Sequence, residues 1–118
     1  MSLIKGCTSS SEAVLTQLRK GVLEYCVLAC LRGQPSYGLA LASRLHASQL
    51  VASEGTVYPL LSRLRRQGLV ETTWQESTSG PPRRYYQLTA AGIASLEAFV
   101  ATWQPFSDAV DAILEDAR

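Results

Sequence analysis

A chain of 118 residues that is 47% hydrophobic and 18% charged has room for one domain with its own core, and this composition excludes a disordered chain. No apolar run approaches the roughly 18 residues of a membrane span and the N-terminus lacks the long apolar core of a secretory signal, so the expectation is a cytoplasmic protein with no membrane partner. The net charge of +1 conceals a division: residues 1–90 carry ten lysines and arginines against five acids, and residues 91–118 carry one arginine against five acids. The front of the chain therefore suits a polyanion and the tail does not.

Residues 1–12 contain "TSSS" and show no periodicity, so they read as a flexible N-terminal arm; "LIKGC" has too little apolar sequence before Cys7 for a lipoprotein cleavage box. A first helix is expected from a cap near Ser11 or Thr16 to Leu31, with Leu15, Leu18, Val22, Tyr25 or Cys26, and Ala29 recurring at steps of three and four. "GQPS" stops it, because Gly33 suits the C-terminal cap and Pro35 cannot continue the hydrogen-bond ladder. A second helix follows in "YGLALASRL", with Leu39, Ala42 and Leu45 or His46 on its inner side. "HASQLVAS" is an irregular connection, and Ser53 is placed to cap a third helix that ends at Gly68.

That third helix, "EGTVYPLLSRLRRQG", is divided between two faces. With Val57 at the origin of a helical wheel, Leu60, Leu61 and Leu64 fall within about 60° of it, while Gly55, Pro59, Ser62 and Arg66 lie opposite, flanked by Thr56, Tyr58, Arg63 and Arg65. One face packs. The other is narrow at its start, hydroxylated and basic, and so suits a major groove, where arginine can fork onto guanine and hydroxyls can bond phosphates. "LVETTWQ" and "RRYYQL" then alternate like strands around the turn-rich "ESTSGPP", which makes a hairpin with a seven-residue turn; Tyr86 and Leu88 share a packing face. Thr89 can cap a last helix in which Leu96, Phe99, Trp103, Phe106, Val110, Ile113 and Ala117 step by 3, 4, 3, 4, 3 and 4. This heptad seam calls for a partner helix, and Pro105 within it is expected to kink or split the helix.

The fold class expected is mainly α with a small β-hairpin. Three helices followed by a hairpin is the layout of a winged helix-turn-helix, here over residues 13–89, with residues 90–118 as a long C-terminal dimerisation helix. In that layout Arg83 and Arg84 sit at the tip of the wing, where phosphate contacts release counterions.

The segments "LEYCVLACLRGQPSYGLALASRL", "EGTVYPLLSRLRRQGLVE" and "GPPRRYYQLTAAG" together resemble the PadR family of bacterial transcriptional regulators, across about Leu18 to Gly92. The resemblance implies a winged-helix domain that binds double-stranded DNA, a homodimer formed through the C-terminal helix, and repression relieved by a small molecule. It implies DNA contacts from Tyr37 at the start of the second helix, from Thr56, Tyr58, Pro59, Ser62 and Arg63 on the third, and from Arg83 and Arg84; Gly55 and Arg66 join them from the wheel. Arg65 or Arg66 stands where the family often has an acid. One C-terminal helix resembles the short subfamily, and "LTAAGIASLEAFVATW" is similar in spacing to multidrug-responsive members in which a tryptophan from each subunit lines a pore. Trp103 takes that place, with Phe99, Val100 and Phe106 beside it and Tyr25 or Ala29 facing from the first helix. Leu18 and Val22 are assigned to the dimer interface with the heptad residues.

Two other classes compete with this reading. A metal- or thiol-sensing winged-helix repressor would draw on Cys26 and Cys30, one helical turn apart, with Cys7 or His46, yet cysteines at this spacing in an apolar helix are more often core residues, and no metal ligand set or cofactor is assigned. A winged domain serving protein contacts alone would not need arginines on both the third helix and the wing. An enzyme would need a reacting constellation, and His46, the only histidine, has no partner at a productive spacing.

Overall fold

The structure, a computed structural model, describes the backbone of residues 2–118 and the side chains of residues 11–118. Four helices and three strands follow one another as α1 (Ser2–Cys30), β1 (Ser36–Tyr37), α2 (Gly38–Ala47), a 3-10 turn over Glu54–Thr56, α3 (Val57–Arg66), β2 (Val70–Ser77), β3 (Gly80–Leu88) and α4 (Ala90–Asp116).

The first helix starts earlier than Ser11 or Thr16. No proline interrupts residues 2–30, and glycine, serine and threonine each lower helix stability by at most about 1 kcal/mol. Thr16, a candidate cap, instead donates from Oγ1 to the Glu12 carbonyl at 2.9 Å inside the helix. The side chains of residues 1–10, and with them Cys7, lie outside the described residues.

The ends of α2 and α3 share one device. Gln49 (φ 62°) and Gly68 (φ 75°) adopt the left-handed conformation just beyond each helix. The amide after each reaches back to the last turn: Leu50 N–H donates to Leu45 O at 3.0 Å, and Leu69 N–H donates to Leu64 O at 3.0 Å. Otherwise orphaned carbonyls are thereby satisfied, and a leucine is folded back onto the core at each end. Glycine suits this conformation at position 68; at position 49 a glutamine adopts it.

The buried core gathers Val27, Leu28 and Leu31 of α1, Leu41, Ala42 and Leu45 of α2, Val57, Leu60, Leu61 and Leu64 of α3, with Val51, Val70 and Leu96. Tyr86 and Leu88 pack against it as expected. Ala42 and Leu45 are buried as expected, but Leu39 is 56% exposed, because the buried stripe of α2 is completed by Gly38 and Leu41 instead. His46 is exposed as well.

The wing departs from the expected hairpin in three ways. A third strand, β1, adds to it, giving the order β1-β3-β2 with both pairings antiparallel. The turn is two residues, Thr78 and Ser79, rather than seven, because β3 begins at Gly80 and continues through Pro81 and Pro82. Prolines are tolerated there because the register slips between Gln75 and Ser77: Gln75 pairs with Arg83 and Ser77 with Gly80, so two β3 residues oppose the single Glu76, and β1 reaches only Tyr85 and Tyr86 on the other side. Arg83 and Arg84 consequently lie in the body of the wing, opposite Gln75 and Trp74, and not at its tip.

Thr89 caps α4 as expected, its Oγ1 accepting from the Gly92 amide at 3.0 Å while donating to the Gly68 carbonyl at 2.6 Å. A Cβ at Gly92 would stand 2.0 Å from the Leu69 carbonyl oxygen, so only glycine lets α4 start this close to the chain leaving α3. Pro105 does not split α4. It removes the hydrogen bond to the Ala101 carbonyl in an exposed stretch where water can reach that oxygen, and the turns around it are tied by Thr102 Oγ1 to Ala98 O and Gln104 Nε2 to Asp108 Oδ1, both at 2.8 Å.

Candidate nucleic-acid interface and aromatic cluster

The candidate recognition surface is built outward from the leucine face of α3. Val57, Leu61 and Leu64 are fully buried and Leu60 nearly so, which fixes the rotation of the helix. Gly55, Thr56, Tyr58, Pro59, Ser62, Arg63 and Arg66 are therefore exposed together, with Arg65 beside them. Ser53 makes no side-chain cap; Thr56 Oγ1 donates instead to the Ser53 carbonyl at 2.8 Å, because the chain enters α3 through a 3-10 turn.

Tyr37 stands at the junction of β1 and α2, and Gly38 explains how Tyr58 comes to lie beside it. A Cβ on Gly38 would meet the Tyr58 ring at 3.0 Å, so the glycine lets that ring lie against the start of α2. The result is a cleft of about 290 Å³ lined by Tyr37, Leu39, Tyr58, Arg83, Arg84 and Tyr86. The α2 N-terminus opens beside it without a side-chain cap, leaving amide donors and the positive end of the helix dipole for an anion.

The two wing arginines are held differently. Arg83 lies over the Tyr37 ring with its guanidinium carbon 4.5 Å from the centroid, and Arg84 lies over Trp74 at 5.1 Å. Side chains alternate along a strand, so the arginines point to opposite faces of the wing, each steadied on an aromatic surface while remaining exposed. Trp74, at 66% exposure, and Leu39 are surface residues that the sequence pattern did not assign to the site. An aromatic alternating with polar residues beside an arginine-rich strand was the available signal for Trp74.

A second cluster lies on α1 and α4. Tyr25 stacks on Phe99 with centroids 4.4 Å apart, Phe99 stacks on Trp103 at 5.6 Å, and Phe106 follows at 6.5 Å. Four of the six residues expected around an effector thus form one continuous ladder; Val100 and Ala29 are exposed. Of the residues assigned to a dimer seam, Leu96 is only 2% exposed and belongs to the chain's own core, because α4 packs there against α1 before diverging from the rest of the molecule. Leu18, Trp103, Phe106, Val110 and Ile113 are exposed, and Val22 and Phe99 are half-buried.

Cys26 and Cys30 are free, half-buried thiols that pack against the core. Burial pushes both thiols above their ordinary range; the neighbouring Cys30 raises Cys26 further, while Arg44 partly offsets the effect at Cys30. This disfavours the thiolate needed for redox sensing or metal ligation. Among the described residues no group of three histidine, cysteine or acidic side chains is placed to hold a metal. Among them, too, no helix is long and apolar enough to cross a membrane.

A buried-faced third helix, a three-stranded wing and a glycine-admitted tyrosine at the second helix define a winged helix-turn-helix protein. The family model "Transcriptional regulator PadR-like family" matches residues 27–98. Among solved structures, a PadR-like transcription factor from Bacteroides fragilis is 42% identical with a TM-score of 0.68, covering 86% of this chain and 98% of its own. A PadR family transcriptional regulator from Eggerthella lenta is 34% identical with a TM-score of 0.80, covering 94% and 97%. A PadR-like transcriptional regulator from Bacillus cereus is 40% identical with a TM-score of 0.74, covering 83% and 96%. The chain belongs to the PadR-like family of DNA-binding transcriptional regulators.

Proposed function

We propose that the protein is a homodimeric, cytoplasmic repressor that reads an inverted-repeat operator in duplex DNA. The observation that carries this reading is the division of α3, whose leucines are sealed in the core while Ser62, Arg63 and Arg66 are exposed on one outer surface with Thr56 and Tyr58. Arginine at such a surface can donate two bonds to a guanine edge, and Tyr37, the α2 N-terminus, Arg83 and Arg84 supply phosphate contacts that hold the register. A two-fold dimer would set two α3 helices in successive major grooves, with half-sites about 10 base pairs apart.

The dimer reading is supported by the exposed apolar ends of α1 and α4, where Leu18 is 61% and Ile113 69% exposed. To test the DNA reading, an operator is selected from a random duplex library and binding is followed by fluorescence anisotropy. Arg63→Ala and Arg66→Ala should each weaken binding by about 1–3 kcal/mol, and the double Arg83→Ala/Arg84→Ala change should lower the salt slope by about 0.9 for each phosphate no longer neutralised. Operator affinity and salt slope unchanged in all of them would refute the assignment.

A ligand function is favoured by the ladder of Tyr25, Phe99, Trp103 and Phe106, which offers flat faces to a planar aromatic effector. Such a ligand would release DNA only by binding the DNA-incompetent arrangement more tightly than the competent one. With Trp74→Phe leaving Trp103 as the sole tryptophan, quenching by planar aromatic compounds reports occupancy directly.

A further inference from the structure

The third helix has two flanks, and the wing accounts for one. On the other, α1 and the segment entering α3 enclose a larger groove of about 590 Å³, lined by Arg19 and Lys20 of α1 and by Thr56, Pro59, Arg63 and Arg66. Among the described residues Glu24 is the one carboxylate in its lining, against four cations. None of the four is ion-paired among the described residues, where the salt bridges are Arg32 with Glu97 and Arg118 with Glu115. Arg19 is held in place: its Nη2 donates to the Gln49 carbonyl at 2.8 Å, at the left-handed residue that ends α2. A neutral carbonyl satisfies one donor and does not neutralise the charge, and the Arg19 Nε is shielded from water with no acceptor among the described residues. The groove thus carries a fixed, partly desolvated guanidinium beside three exposed cations, and its rim is shared with the recognition surface.

We infer that Arg19 and Lys20, with Arg63 and Arg66, form a second phosphate clamp that grips the DNA strand on the side of the major groove opposite the wing; this rests on the DNA-reading role of α3 proposed above. A helix lying in a groove about 12 Å wide is bordered by a row of phosphates on each side. The wing and Tyr37 serve one row. The cations of α1 serve the other, and the preset position of Arg19 reduces the ordering cost of each contact. An extended polyanion fits better than a small free anion, because the four cations are spread over two helices along an open groove that runs into Thr56 and Pro59.

The test is the salt dependence of binding to a labelled duplex of arbitrary sequence, which isolates phosphate contacts from base reading. Arg19→Gln and Lys20→Gln should each lower the slope of log affinity against log salt by about 0.9 for every phosphate that the side chain neutralises, counted once per subunit. Arg32→Gln, which removes a cation paired with Glu97 at the far end of α1, should leave the slope unchanged. Lys20→Gln does not touch the Gln49 contact, so it carries the test even where Arg19→Gln unfolds the chain. Wild-type slopes in both variants, with operator binding still weakened by Arg63→Ala, would overturn the clamp and leave the recognition helix standing. A wild-type protein without salt-dependent DNA binding would overturn both. Tight binding of inorganic phosphate that both variants abolish, without any change in the duplex slope, would assign the groove to a free anion and also overturn the clamp.

Discussion

The winged domain and the outer halves of the two long helices treat their apolar residues in opposite ways. In the former, Val57, Leu61 and Leu64 have no contact with water; in the latter, Val14, Leu15 and Leu18 of α1 and Phe106, Val110, Ile113 and Leu114 of α4 are all more than 40% exposed. The radius of gyration, 17.3 Å, exceeds the roughly 13–14 Å of a compact chain this long, and the longest axis is 54 Å. One part of the molecule completes its own core, and the other has a core's composition without a core. If the proposed dimer covers those exposed side chains, stability and oligomeric state will be linked, and both should depend on protein concentration.

The sharpest challenge to this contrast is a deletion on the self-sufficient side. Leu61→Ala empties a fully buried site in the core to which α1, α2 and α3 contribute, and should cost about 2–5 kcal/mol in chemical denaturation, at any protein concentration. A cost under about 1 kcal/mol would mean that the winged domain is not packed as described. On the other side, Ile113→Ala removes a side chain that touches little within the subunit. It should weaken association by about 1.5–3 kcal/mol per side chain, read as a concentration-dependent loss of mass in sedimentation equilibrium. Wild-type protein that sediments as a single subunit would remove the basis for a dimer.

How far the sequence alone could anticipate this division depends on the strength of the local pattern. The α3 stripe was readable because four large apolar residues and three arginines separate cleanly on a wheel, and a rotation error would have buried a charge. In α2 the pattern is less decisive: Ala42 and Leu45 face inward as expected, but the helix is rich in small and apolar residues, and Gly38 and Leu41 complete the stripe in place of Leu39. The wing was found, but its length was not: Pro81 and Pro82 signal a loop, and only the register slip opposite Glu76 admits them to a strand. β1 is two residues long, below what alternation can reveal. The heptad in α4 was real as a spacing, yet it mixed two environments, with Leu96 in the chain's own core and Ile113 beyond it. Periodicity reports which face is apolar and not what covers it. The cations of α1 carry no local signal, because Arg19 and Lys20 become neighbours of α3 only through the tertiary fold, in which Arg19 is held by a carbonyl thirty residues further along the chain.

The smallest effect expected lies at the edge of the core, where Cys26 and Cys30 flank the buried α1 residues Val27 and Leu28 and pack against it. Burial holds both thiols protonated, raising their titration above that of the unfolded chain. A group whose folded titration point is raised contributes its full stabilisation below the unfolded value and loses it as pH rises through the folded one. Stability should therefore be insensitive to these thiols at neutral pH and fall above the ordinary thiol range, with a shallower fall in Cys26→Ala/Cys30→Ala. Alkylation by iodoacetamide at neutral pH should also be slower than for a free thiol in an unfolded peptide, since the reactive thiolate is disfavoured. Rapid alkylation at neutral pH would show instead that this stretch of α1 opens readily, and would move the limit of the stably packed part of the molecule inward past Cys26 to the buried pair Val27 and Leu28.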